Sequence, residues 1–63
     1  MRAEITINMD NAAFQDSDPG NELARILTKW GKTLQNNPCL SPGDSLPAFD
    51  INGNKVGYLA IKE

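Results

Sequence analysis

A chain of 63 residues with one cysteine, Cys39, and no histidine lacks both of the staples on which very small domains usually depend. An internal disulfide needs a second thiol, and a structural zinc site needs several Cys or His ligands. What remains is one economical apolar core, or a core completed by another copy or a partner. The same shortness allows a single domain over residues 1–63, because two cores cannot be built from so little chain.

From Arg2 to Met9, apolar and polar residues alternate without a break: Ala3, Ile5, Ile7 and Met9 on one side, Arg2, Glu4, Thr6 and Asn8 on the other. Successive side chains of an extended strand leave opposite faces, so this pattern predicts a strand covered on one side only. Asp10 to Asp18 follows as a polar connection interrupted by one aromatic. That residue, Phe14, is expected to tuck against the rim of the core and tie the connection down.

Asp18-Pro19 then starts a helix. The Asp18 carboxylate suits the free N–H groups of a first turn, and Pro19 gives up an N–H that would have no partner there. Glu22 suits the positive end of the helix dipole. Leu23, Ile26, Leu27, Trp30 and Leu34 recur at helical spacing and form one apolar stripe, bordered by Ala24. Trp30 lies mid-stripe and is expected at the centre of the core. Glu22 and Arg25, one turn apart, are placed to pair on the wet side. Gly31 admits two readings: room for a close approach beside Trp30, or the point from which the helix frays. Asn36-Asn37-Pro38 ends the element, since the proline ring and its missing N–H oppose another turn.

Cys39 to Pro47 reads as a long loop around a Ser41-Pro42-Gly43-Asp44 turn, pinned by Leu40 and Leu46. Cys39 is expected there as a small half-buried residue and not as a reactive thiol. Ala48 to Ile61 is a hairpin about Asn52-Gly53, with two registers in competition. A two-residue turn would set Ile51 opposite Asn54. A longer turn with Gly53 in the left-handed region would set Asp50 opposite Asn54, with the Asp50 side chain free to cap it. The long arm carries Gly57, Leu59 and Ile61 on one face and Val56, Tyr58 and Ala60 on the other.

Assembled, these elements predict an α+β fold: a small β-α-β-β domain with one helix packed on a three-stranded sheet in the order 1-3-2. The helix stripe should cover Ile5, Ile7, Leu59 and Ile61. Val56 and Tyr58 would then occupy the far face. That face and the open edge of the N-terminal strand are where a partner can attach.

Chemistry is harder to find. Acid–base or covalent catalysis needs a nucleophile, a tuned base and a site closed to water, and the residue inventory offers little of each. The expectation is that the protein is not an enzyme and takes no cofactor or metal. Asp50, Asn52 and Asn54 begin like a calcium loop, but Lys55 stands where such a loop needs its glycine and Ile61 where it needs its bidentate glutamate. Six basic against eight acidic side chains give a net charge of −2, so a broad phosphate-binding surface is disfavoured. Arg25, Lys29 and Lys32 line one side of the helix and are the one candidate stripe for nucleic acid. No targeting segment or long apolar run stands out, and a cytoplasmic, non-membrane setting is the expectation.

Met1 to Phe14, the helix segment Glu22-Leu23-Ala24-Arg25-Ile26-Leu27 and the turn Asp50-Ile51-Asn52-Gly53-Asn54-Lys55-Val56-Gly57 together resemble a group of short proteins encoded by phages and prophages. The likeness spans nearly the whole chain except Asn36 to Leu46. It implies a genomic setting and carries no catalytic or binding residues. Within that setting the expected role is an accessory protein-interaction module that docks on a host or phage protein, with a weak homodimer as one form. The alternative is a nucleic-acid-associated accessory protein. The candidate surface residues are Val56 and Tyr58 on the sheet, with Arg25, Lys29 and Lys32 on the helix.

Overall fold

The computed structural model describes residues 1–16 and 18–63. Ser17, read from the sequence as part of the polar connection, lies outside the described residues. The chain runs β1 (Arg2–Ile7), α1 (Ala12–Gln15), α2 (Pro19–Asn36), β2 (Ser45–Phe49) and β3 (Lys55–Lys62). The three strands form one antiparallel sheet in the order β1-β3-β2, with α2 as the main helix packed on it, so the fold is the α+β arrangement expected. β1 pairs with β3 from Arg2↔Lys62 to Ile7↔Gly57, and β2 pairs with β3 from Ser45↔Ala60 to Ala48↔Gly57.

Phe14 goes deeper than expected. It is fully buried, carried inward by the four-residue helix α1, and forms the core with Ile26, Trp30, Ala48, Val56, Leu59 and Ile61. Trp30 is also buried, at 5 % exposure, but it works at the seam between α2 and β2, where its indole Nε1–H donates to the Pro47 carbonyl at 2.9 Å. Phe14 and Trp30 are thus both core aromatics, and Trp30 also ties α2 to β2.

Val56 corrects the expected far face. The pairing of β2 with β3 shifts between Ala48 and Phe49, so that Ala48 opposes Gly57 while Phe49 opposes Lys55 and Val56 has no opposite residue. An extra residue of this kind is a β-bulge, which breaks the alternation. Val56 turns into the core at 8 % exposure, and only Tyr58 and Ala60 keep the assignment made from strict period two.

The helix covers half of the sheet. Ile7, Leu59 and Ile61 meet the core as expected, but Ile5 is 51 % exposed although it lies opposite the buried Leu59. Leu27, assigned to the stripe, is likewise largely exposed, because α2 lies toward β2 and leaves the β1 side open. Asp18 makes no side-chain cap; its backbone carbonyl accepts from the Asn21 N–H instead. Gly31 has open space around it and the helix continues to Asn36, so neither the close approach nor early fraying occurs. Cys39 is exposed, not half-buried.

Both turns use glycine where the backbone demands it. Gly53 has φ +87°, Asp50 N–H donates to the Asn54 carbonyl at 2.9 Å, and Gly53 N–H donates to the Asp50 carbonyl at 3.0 Å. That is the second of the two hairpin registers. Gly57 serves a different need: a Cβ there would lie 2.8 Å from the Ile7 Cα and would overlap the Thr6 carbonyl oxygen. The β1–β3 seam is closed by the absence of a side chain.

Candidate interaction surface

The five surface residues named from sequence do not come together. Val56 is in the core. Tyr58 stands on the sheet face away from the helix, 43 % exposed, between Thr6 of β1 and Pro47 of β2. Lys29 and Lys32 lie on α2 beside Asn21, Ala24 and Thr28, along a shallow surface that also includes Arg25. Arg25 is already engaged. Its Nε donates to Glu22 Oε1 at 2.7 Å, and its Nη2 donates to the Phe49 carbonyl at 2.8 Å.

Among the described residues Glu22 and Asp50 are the two buried carboxylates, and the sequence places Glu22 on the wet side of the helix. Spacing identified its pairing with Arg25; the long-range contact that buries it, the Ile51 N–H donating to Glu22 Oε2 at 2.8 Å, has no local signal. Asp50 Oδ1 accepts the N–H groups of Asn52 and Asn54, and its Oδ2 accepts the side-chain amides of Asn11 and Asn54. These carboxylates tie the hairpin turn to the start of α2 and to the end of the β1 connection.

Electrostatics follow from that wiring. The Arg25 hydrogen bond holds the Glu22 carboxyl below its ordinary pKa against the opposing effect of burial, and the Ile51 N–H adds to it. Glu22 in turn raises the Arg25 pKa, so the guanidinium stays charged. Burial pushes Asp50 up, but the N–H groups of Asn54, Asn52 and Asn11 outweigh it and hold its carboxyl below the usual range. Neither group is poised to donate a proton near neutral pH. The Asp50 oxygens face N–H donors, which is the wrong lining for a cation. Among the described residues, no three His, Cys, Asp or Glu side chains converge on a point.

The two sheet edges are the remaining surface, and they differ. Asn8 N–H donates to the Val56 carbonyl, which assigns the inward-facing backbone groups of β1 to Arg2, Glu4 and Thr6. The N–H and C=O groups of Ala3, Ile5 and Ile7 therefore point outward. On the other side, Ile61 N–H donates to Asp44, so Leu46 and Ala48 bond to β3 while Ser45, Pro47 and Phe49 face out. Pro47 has no N–H to leave open, its carbonyl is taken by Trp30, and the Phe49 carbonyl is taken by Arg25. This also explains why a strand forms through Pro47, where the sequence suggested loop: the proline sits on an outer edge and breaks no ladder bond. The helix occupies the Pro47 and Phe49 carbonyls and so covers the middle and end of the β2 edge. Among the described residues nothing seals β1.

No helix is long and apolar enough to cross a membrane among the described residues. No family model, curated protein or solved structure matches the chain.

Proposed function

We propose that this domain is a cytoplasmic accessory protein of phage or prophage origin that acts as a protein-interaction module and has no catalytic role. The observation that carries the reading is the open outer edge of β1, where Ala3, Ile5 and Ile7 offer unpaired backbone groups beside an exposed isoleucine. An exposed strand edge is a template for adding a strand from another chain, with main-chain hydrogen bonds supplying affinity and alternate side chains supplying specificity. The far face of the sheet, with Tyr58 at its middle, extends the same contact area. The alternative, a nucleic-acid-associated role for Arg25, Lys29 and Lys32, has less behind it. Arg25 is spent on Glu22 and Phe49, which leaves two lysines to meet phosphate.

Proline at Ile5 tests this reading selectively, because it removes an outward N–H and leaves every β1–β3 bond in place. A host or phage protein retained by the immobilised domain should be lost with Ile5→Pro and kept with the paired Lys29→Ala and Lys32→Ala change. Retention by Ile5→Pro, with loss in the lysine variant and on nuclease treatment, would replace this reading by the nucleic-acid one.

A further inference from the structure

We propose that the open edge of β1 pairs with β1 of a second copy, antiparallel about a twofold axis at Ala3, making a six-stranded sheet. This inference rests on the edge-docking reading above and specifies its partner. Antiparallel pairing of two such edges must oppose the outward-facing residues of both strands, so the axis falls on one residue of β1 and each choice fixes a different set of neighbours.

Charge selects among them. An axis at Glu4 sets Glu4 against the partner's Glu4, a like-charge pair that destabilises a sheet. An axis at Ile5 or Thr6 sets Glu4 against the partner's Thr6 or Asn8 and matches no charge. An axis at Ala3 sets Arg2 against the partner's Glu4, and Glu4 against the partner's Arg2. Within one copy the two residues are joined only by a long ion pair, and Arg2 Nη1 donates a long hydrogen bond to the Glu63 backbone oxygen at 3.4 Å. Arg2 lies directly opposite Lys62 on β3, a like-charge pair. Its own Glu4 is 3.8 Å away, and the Glu4 Oε2 atom is buried with no hydrogen bond. In the pairing, each Arg2–Lys62 cation pair meets an anion from the other copy. On the helix side, the same register lays Ile5, 51 % exposed, across from the partner's Met1, 78 % exposed in the single copy, with the small Ala3 at the axis. The β2 edges, with the Pro47 and Phe49 carbonyls occupied and no N–H at Pro47, then lie at the two outer ends of the sheet, which disfavours growth beyond two copies.

Sedimentation equilibrium up to about millimolar protein, at low ionic strength, tests it, with amide dispersion confirming that each variant is folded. Like charges directly opposite destabilise a sheet, and the twofold doubles every change, so Glu4→Arg or Arg2→Glu alone should weaken dimerisation about tenfold. The double variant carrying both reversals should recover parental association, and Ile5→Pro should abolish it. A parent that stays monomeric over the whole range overturns the inference, as does a single reversal without effect. Neither result touches the interaction-module reading, which stands or falls on capture of a different protein.

Discussion

β1 and β2 flank the same central strand, run parallel to each other and turn apolar residues toward the same side, yet they are finished differently. Leu46 and Ile5 both lie opposite Leu59, one from each flank. Leu46 packs against the core; Ile5 is half in solvent. The difference comes from what lies above, since α2 meets β2 and uses Trp30 and Arg25 to occupy its edge carbonyls. Alternation in a strand therefore states which face a residue takes and says nothing about whether anything covers that face. With one long helix available, the β2 edge is covered and the β1 edge is left open.

That contrast can be broken at its strongest point by Trp30→Ala, which removes both a core aromatic and the donor that closes the β2 edge. The expected loss is about 3–5 kcal/mol, comparable with the whole stability of a small domain, so the cooperative thermal transition should vanish. Leu59→Ala should cost about 2–5 kcal/mol in urea unfolding, because it opens a cavity under both flanks. Gly57→Ala forces a methyl group against the Thr6 backbone, and overpacking of this kind costs about 1–3 kcal/mol. Hydrogen exchange should show β1 amides losing protection before those of β2 in that variant.

Acid unfolding sharpens the comparison from the turn side. Glu22 and Asp50 have folded pKa values below their unfolded ones, so their contribution is complete above the ordinary carboxylate range of about 4. It is lost as pH falls through the lower folded values. Melting temperature should drop over that interval, and Asp50→Asn should flatten the dependence. The smallest effect belongs to Ile5→Ala. Although Ile5 shares its face and pairing with Leu59, its loss should change stability by about 0.5 kcal/mol or less, since surface positions seldom exceed that. A cost similar to that of Leu59→Ala would mean that β1 is covered after all.

The elements with strong local chemistry were legible in the sequence. The Arg2 to Met9 alternation marked β1, Pro19 and the Asn36-Asn37-Pro38 stop bracketed α2, and Asn52-Gly53 located the hairpin. Asp50 as a turn cap was legible too, since its offset from Asn52 and Asn54 is that of a side chain bonding its own turn. What escaped was set by pairing across the chain. Val56 changes face because two strands of unequal count meet at a bulge, and neither strand contains that information alone. Phe14 reaches the centre because the short helix α1 rests on α2, and four residues leave no periodicity to read. The open β1 edge could be anticipated, but the covering of the β2 edge by the helix could not. Sealing of the other edge depends on Trp30 and Arg25 reaching carbonyls 17 and 24 residues away.

The pairing of Arg2 with Lys62 and of Ile7 with Gly57 also imposes an order in time. α2 and the Asn52-Gly53 turn close through near neighbours in the chain, on the fast timescales of helices and hairpins. β1 has nothing to pair with until Gly57 to Lys62 has been synthesised and turned into position. Contacts this remote in sequence are the ones that slow folding. Of the three strands of this domain, the first to be synthesised is thus the last to be locked, and while it waits both of its edges are bare. The edge left unpaired within the folded chain is half of the exposure that β1 carries while the domain folds.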